Sequence, residues 1–255
     1  MMSYLLRPRC TGDFVMQSLE LLRPSKPMDC VATVLSSVFL TPTIKSIRLW
    51  LDQPEFSFLP GQSVWPRFER DGQRFSKIYS IASSPAWCPE VELCVSRVGW
   101  SSAYLQDLAV GAEIAVRSPY GLMTLADLPM RPRLYIAEGS GIAPLKSQID
   151  WLRERNYAYP VWLVQSNPET PNQLPYRDYW RSLQQTWSNF RYLEATEQSP
   201  ETLLARYLPH LAPFELPRFD VDICAVGDRS AQIQAVVLGL GANLQQVRSE
   251  KFYAF

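Results

Sequence analysis

Three short stretches hold the residues whose types and spacing could do chemistry. In LYIAEGSGIAPLKSQIDWL an apolar run leads into Gly139-Ser140-Gly141 and then a helical stretch with Pro144 in its first turn. Glycine lets a backbone turn sharply and approach a ligand, and a helix start offers unpaired N–H groups and partial positive charge to an anion. The same pattern also makes a plain strand-to-helix turn, and it is not the Gly-x-Gly-x-x-Gly fingerprint. In GWSSAYLQDL, Ser101 or Ser102 after Gly99 fits a helix cap, a geometry that would equally cradle a phosphate. Trp100 beside them is either a core aromatic or a stacking platform for a planar ring. The third stretch, RFSKIYSIASSP, alternates its side chains as a strand does and sets Lys77 two places ahead of Tyr79-Ser80.

Other chemistries are excluded. The chain has one histidine, His210, in the proline-punctuated YLPHLAPF, and no Gly-x-Ser-x-Gly elbow, so a Ser-His-Asp hydrolase has little to be built from. Five cysteines, Cys10, Cys30, Cys88, Cys94 and Cys224, are odd in number and never spaced Cys-x-x-Cys, against both a disulfide framework and a zinc or iron-sulfur site. Twenty-five basic residues balance twenty-five acidic ones, leaving no global field for nucleic acid or an anionic membrane. The longest apolar runs fall short of a bilayer span and the start lacks a signal-peptide core, so a soluble, cytoplasmic protein without an integral membrane segment is expected.

At 255 residues the chain suits two domains. From Asp29 to about Leu125 it reads as short strands and turns: KSIRLWL puts Ile47, Leu49 and Leu51 on one face, VELCVSRV does the same with Val91, Leu93 and Val95, and one helix falls near Ser102 to Leu108. An antiparallel barrel or sandwich is predicted there. After DLPMRPR, strands alternate with helices at Ala143–Arg153, Tyr176–Gln185, Pro200–Tyr207 and Ser230–Leu240, which predicts a mostly parallel sheet covered on both faces. Residues 1–28 carry Arg7, Arg9, Arg23 and Lys26 without sustained periodicity and are expected to form an arm.

Taken in order, these pieces resemble the ferredoxin-NADP reductase family of flavoproteins, over Asp29 to Phe252. FLPGQSVWPRF is similar to the family's Pro-Gly-Gln barrel strand, KIYSIASS to its Arg-x-Tyr-Ser flavin motif, and LCVSRV with GWSSAYL to its pyrophosphate segment. SPYG, IAEGSGIAP and the terminal EKF resemble its barrel-closing turn, its Gly-Thr-Gly-Ile-Ala-Pro loop and its final glutamate-aromatic pair. The resemblance implies a flavin-binding β-barrel over 29–126 followed by a Rossmann-like NAD(P)-binding α/β half over 127–255.

It also implies roles. Tyr79 would lie against the flavin ring, Ser80 would place its hydroxyl near N5, and Lys77 stands where the family has a phosphate-binding arginine, keeping the charge without the two-pronged fork. Gly99, Ser101 and Ser102 would take the pyrophosphate of FAD, with Cys94 and Arg97 on the neighbouring strand and Trp100 covering the adenine. Gly139, Ser140, Gly141, Ile142 and Pro144 would border the nicotinamide nucleotide, with Gly227 near them. Phe252, or Phe255 beyond it, would shield the flavin's other face, and Glu250 would be a proton relay or a solvated charge.

Three departures stand out. Glu138 replaces a small residue beside the loop, and Asn167 and Thr196 occupy positions where NADPH-using relatives place arginines, which favours NADH. The expected activity is hydride transfer from NAD(P)H to FAD and delivery of electrons to a separate acceptor, such as a ferredoxin, an oxygenase component or a cytochrome. The alternatives are a non-catalytic subunit that keeps the flavoprotein fold for binding or regulation, and a plain structural protein.

Overall fold

The computed structural model describes residues 23–207 and 216–252. Residues 1–22 of the expected arm, together with Cys10, His210 and Phe255, lie outside the described residues.

The first half is a seven-stranded antiparallel sheet. Its strands are β1 (Met28–Phe39), β2 (Ile44–Leu51), β3 (Ser63–Arg70), β4 (Gln73–Ser76), β5 (Tyr79–Ser80), β6 (Glu90–Ser96) and β7 (Glu113–Tyr120). They run in the order β4-β3-β7-β1-β2-β6, with β5 paired to β3. An Ile81–Leu93 bridge and the Ala82 N–H to Glu92 carbonyl bond (2.7 Å) join the end of β5 to β6 and curl the sheet shut. The alternation in β2 and β6 has its expected use: Ile47, Leu49, Leu51, Val91, Leu93 and Val95 all lie in one buried interior. The opposite face of β6, which carries Glu92 and Cys94, turns toward the second half.

That half is a five-stranded parallel sheet of β8 (Arg133–Glu138), β9 (Val161–Ser166), β10 (Phe190–Glu194), β11 (Asp220–Val226) and β12 (Val247–Phe252), ordered β10-β9-β8-β11-β12. Helices α2 (Ile142–Glu154) and α3 (Arg177–Thr186) pack on one face, and α4 (Pro200–Tyr207) and α5 (Arg229–Gly239) on the other. The helix α1 (Trp100–Asp107) belongs to the barrel half. Residues buried on both faces give β8 and β11 their near-continuous apolar sequences, as parallel strands require.

One apolar cluster crosses between the halves. Ile44, Ala82, Cys94, Met123 and Leu125 from the barrel side pack with Ile142, Ala143, Leu145 and Ile149 of α2 and with Cys224 of β11. Two glycines permit this closeness. Gly61 has φ +98°, and a Cβ there would sit 2.1 Å from the Met123 carbonyl oxygen and 2.8 Å from Nε2 of Gln148 on α2. A Cβ on Gly141 would lie 2.5 Å from the Cys224 carbonyl oxygen, so the loop after β8 can lie against β11 only without a side chain.

Candidate functional site

The three stretches singled out in the sequence meet where the halves join. Tyr79 and Ser80 form β5, antiparallel to Ser63 and Val64 of β3. The Ser80 hydroxyl is buried 3.4 Å from that of Ser63. The Tyr79 ring reaches α1, its hydroxyl donating to Ser101 Oγ at 3.4 Å, and burial raises its phenol pKa more than that bond lowers it. Lys77 is exposed just before this strand.

Helix α1 begins two or three residues earlier than its serines suggest. Its cap is Gly99, in fully extended backbone, with no side chain to cover the first-turn N–H groups. Ser102, three residues on, turns its hydroxyl back to accept from the N–H groups of Val98 and Gly99, each at 3.0 Å, and to donate to the Gly99 carbonyl at 2.9 Å. This half of a capping box fixes the turn and leaves the first-turn backbone donors and Ser101 as the groups available to an anion.

Trp100 is held edge-on by Phe68 and Phe75, with ring centroids at 5.9 and 5.4 Å, and Arg70 lies over it at 5.4 Å. It also lines, with Ala103, Tyr104, Asp107 and Leu108, a cavity of about 330 Å³. Arg97 is bound to Asp107 through two bonds of 2.7 and 2.8 Å. Cys94 points to the α/β half and is 6% exposed, its thiol pKa pushed up by burial and then by Glu92.

From the other half, Gly139–Gly141 forms a tight turn leading into α2, with Ile142 and Pro144 buried in the helix's first turn. Ser140 reaches the barrel directly, accepting a 2.9 Å hydrogen bond from the Ser96 hydroxyl at the end of β6. The loop therefore touches the strand next to β5. In open parallel sheets ligands sit beyond the carboxyl ends of the strands, where this loop, Gly227 and the loop after β9 all lie.

Glu250 and Phe252 lie on β12, paired in register with Cys224 and Val226. Phe252 packs against the cluster between the halves, and its carbonyl accepts from the Gly227 N–H at 2.8 Å. Glu250 is half-buried and makes no hydrogen bond or ion pair among the described residues. Burial, with a smaller push from Asp222, raises its carboxyl above the ordinary glutamate value of 4.5. Asp222 itself is fully enclosed by Arg248, at 2.6 and 2.8 Å, and by Arg133.

Residues 32–125 match the family described as "Oxidoreductase FAD-binding domain". That segment is an oxidoreductase FAD-binding domain, and the chain as a whole is similar to ferredoxin-NADP reductases and oxygenase reductase components. It is 33% identical over 171 residues to the phenol hydroxylase P5 protein of Acinetobacter pittii, a match covering 66% of this chain and 47% of that one. It is 32% identical to ferredoxin–NADP reductase B of Sorangium cellulosum, covering 60% of this chain and 64% of the relative. The chain thus spans about half to two thirds of the curated relatives it matches. Its fold is shared with the FAD/NAD-binding domain of nitric oxide dioxygenase from Vibrio cholerae: TM-score 0.76 at 18% identity, over 88% of this chain and 98% of that one.

Within the family frame, several groups that matter were invisible in the motifs. The awkward Glu138 has a counter-ion: Arg229 of α5 reaches its carboxylate at 2.9 and 3.2 Å, Ser166 adds a bond at 3.3 Å, and Glu201 holds the guanidinium from α4 at 2.9 Å. The loop is therefore not beside a bare negative charge. Asn167 braces its own loop through Thr170 and the Gln173 carbonyl, each at 2.8 Å. At the end of β10, two arginines that no motif indicated, Arg177 and Arg181, both close on Glu194 at 2.5 and 2.6 Å, which holds that carboxyl below its ordinary value despite its partial burial. The partners of these arginines, Arg177, Arg181 and Arg229, lie 13 to 91 residues away, so spacing carries no trace of them. Among the described residues no group of three His, Cys, Asp or Glu could hold a metal ion, and no helix is long and apolar enough to cross a membrane.

Proposed function

We propose that this chain is an FAD-dependent NAD(P)H oxidoreductase. It takes hydride from NADH in preference to NADPH and passes electrons to a separate acceptor protein, with residues 29–126 as the flavin half and 127–255 as the nucleotide half. The observation that carries the reading is the Ser96–Ser140 hydrogen bond, which brings the glycine loop of one half onto the strand neighbouring Tyr79-Ser80 of the other. Two sites meant for two ligands that must touch are built on one seam.

The residues present fit a flavin dinucleotide. The uncapped start of α1 offers N–H groups and partial positive charge to a pyrophosphate, Lys77 adds a point charge, and the Trp100 cavity has the aromatic lining an adenine needs. Tyr79 offers a ring held at its far end by Ser101, and Ser80 a hydroxyl positioned by Ser63. Phe252 closes the seam from the α/β side. When bound, FAD supplies the hydride-accepting atom and the conversion from two-electron to one-electron chemistry. The chain's share is placement, which for two reactants held face to face is worth several powers of ten in rate. Glu250, whose carboxyl is held above its ordinary value by burial, is the group suited to take up and release a proton.

Support for NADH comes from the carboxyl ends of β9 and β10. Asn167 is occupied within its loop and Arg177 and Arg181 are both committed to Glu194, so neither strand end presents a free guanidinium to a 2′-phosphate. The likeness to reductases of multi-component oxygenase systems, among them terephthalate 1,2-dioxygenase reductase component 1, supports a protein acceptor. Purified protein should be yellow, release FAD on heating, and bleach anaerobically on adding NADH at lower concentration than NADPH. Flavin that stays oxidised with both nucleotides would contradict the reading.

A further inference from the structure

A cluster of ionisable side chains is buried between the two halves, beside Cys94 and apart from the other residues assigned above. Lys146 of α2 is 5% exposed and directs its three N–H bonds at Glu92 of β6 (3.2 Å), at Asp150 one helical turn on (2.9 Å) and at the carbonyl of Ala82 (3.3 Å). Glu92 also accepts from Ser46 of β2 at 2.5 Å and from Tyr176 at the start of α3 at 2.9 Å, while Tyr179 donates to Asp150. The rings of Trp87, Tyr176 and Tyr179 surround the ammonium at 5.8, 5.1 and 5.4 Å. Burial opposes every charge here, and the partners prevail: Lys146 is held above its ordinary pKa, and Glu92 below its own by Lys146, Ser46 and Tyr176.

Such a cluster is a poor source of stability, because well-packed apolar side chains in place of a buried ion pair are often neutral or stabilising. What it adds is direction. Much of the surrounding contact between the halves is apolar and therefore non-directional, with the Ser96–Ser140 bond and the Gln148 bond to the Met123 carbonyl (2.8 Å) as neutral directional contacts beside it. A fully satisfied network of charged hydrogen bonds has one geometry. It joins β2 and β6 of the barrel to α2 and α3, and Ser147 and Ser84 extend it through bonds to the Ser83 carbonyl (2.6 Å) and Glu154 (2.5 Å). Lys146 stands five residues after Gly141, roughly 7.5 Å along a rigid helix at 1.5 Å per residue.

We propose that Glu92, Lys146 and Asp150 are positioning residues: they pin the first turns of α2 to the barrel and so hold the Gly139–Gly141 loop at one distance from Tyr79 and Ser80. This rests on the proposed function for what the loop and the strand hold. Binding of nucleotide to the loop needs only the loop itself, whereas transfer to a ring on the barrel needs the two halves in register. Loosening the cluster therefore affects the transfer step and spares nucleotide affinity.

The test compares wild type with Lys146→Met and with the triple replacement Glu92→Leu/Lys146→Met/Asp150→Leu, which removes all three charges and keeps the variant foldable if the single change does not. Two readouts are taken: amide hydrogen exchange over residues 139–149 in nucleotide-free protein, and the rate constant of flavin reduction at saturating NADH. In the folded variants, exchange over 139–149 is expected to rise at least tenfold with β9 and β10 unchanged, and the rate constant to fall at least tenfold while half-saturating NADH moves less than threefold. Wild-type exchange, a wild-type rate constant, or a loss confined to NADH affinity overturns the proposal. A wild-type protein that NADH does not reduce would sink the functional reading instead, and the exchange comparison would still decide whether the cluster pins the loop.

Discussion

Arg229 lies against the buried carboxylate of Glu138, 91 residues earlier in the chain, with its guanidinium 2.9 Å from one oxygen. The pair explains how a glutamate can stand directly before a loop suited to anions. Neutralised by a cation from the helix after β11, Glu138 joins the ends of β8 and β9 to α5 without repelling what the loop binds. Removing only the cation strands a charge in a site where its own side chain has no exposure. Arg229→Met should cost about 1–3 kcal/mol, less than the 3–5 typical of a fully buried pair because Arg229 is partly exposed. Glu138→Gln/Arg229→Met should recover most of it. Chemical denaturation of the two variants checks this, and equal losses would contradict it.

Gly141 lies against β11 with no room for a side chain. Gly141→Ala forces a Cβ to within 2.5 Å of the Cys224 carbonyl oxygen, and overpacking of this kind costs about 1–3 kcal/mol. A midpoint of thermal unfolding lowered by several degrees is the expected result. The same change at Gly72, whose Cβ would meet nothing within 4 Å, should cost less, through its φ of +72° alone.

Glu250 gives a pH signature with a definite sign. Its folded pKa is raised above the ordinary 4.5 by burial and then by Asp222, so the folded state favours the protonated acid. The group's contribution is fully present below pH 4.5 and is lost as pH rises through the folded value. Glu250→Gln, which cannot ionise, should thus be more stable than wild type at neutral pH, with the difference shrinking in acid. Denaturation midpoints at pH 4 and pH 7 decide the matter; a gap that widens in acid reverses the sign and refutes the assignment.

The Ser102 hydroxyl serves the turn before α1, with three bonds of 2.9 to 3.0 Å, whereas Ser101 faces Tyr79. Ser102→Ala should destabilise the protein by about 1 kcal/mol through the lost bonds that hold the turn. Ser101→Ala should leave stability nearly unchanged and weaken FAD binding about threefold to tenfold, the value of one hydrogen bond. Paired unfolding and flavin-titration curves separate the two effects.

Local pattern made much of this legible. Period-two alternation in KSIRLWL and VELCVSRV marks strands with one face in a core, and α4 covers the predicted Pro200–Tyr207, with proline at its first position. The glycine turns were readable because only glycine fits them. The direction of the second face of β6 was not, since alternation alone does not say what Glu92 and Cys94 will meet. Nor were the Arg229–Glu138, Arg177–Glu194 and Lys146–Glu92 pairs, whose members are brought together only by the order of strands and helices. The start of α1 was displaced from its serines because Ser102 caps backward from the third helical position.

The central claim is that a flavin ring lies in the seam against Tyr79, and its most direct measurement is a titration of FAD into flavin-free wild-type protein and into Tyr79→Ala, followed by absorbance and flavin fluorescence. The account predicts saturable binding with a shifted spectrum in wild type and affinity weaker by roughly tenfold in the variant, the worth of one aromatic face against a planar ring. Equal affinity in both proteins, or no binding in either, would contradict it.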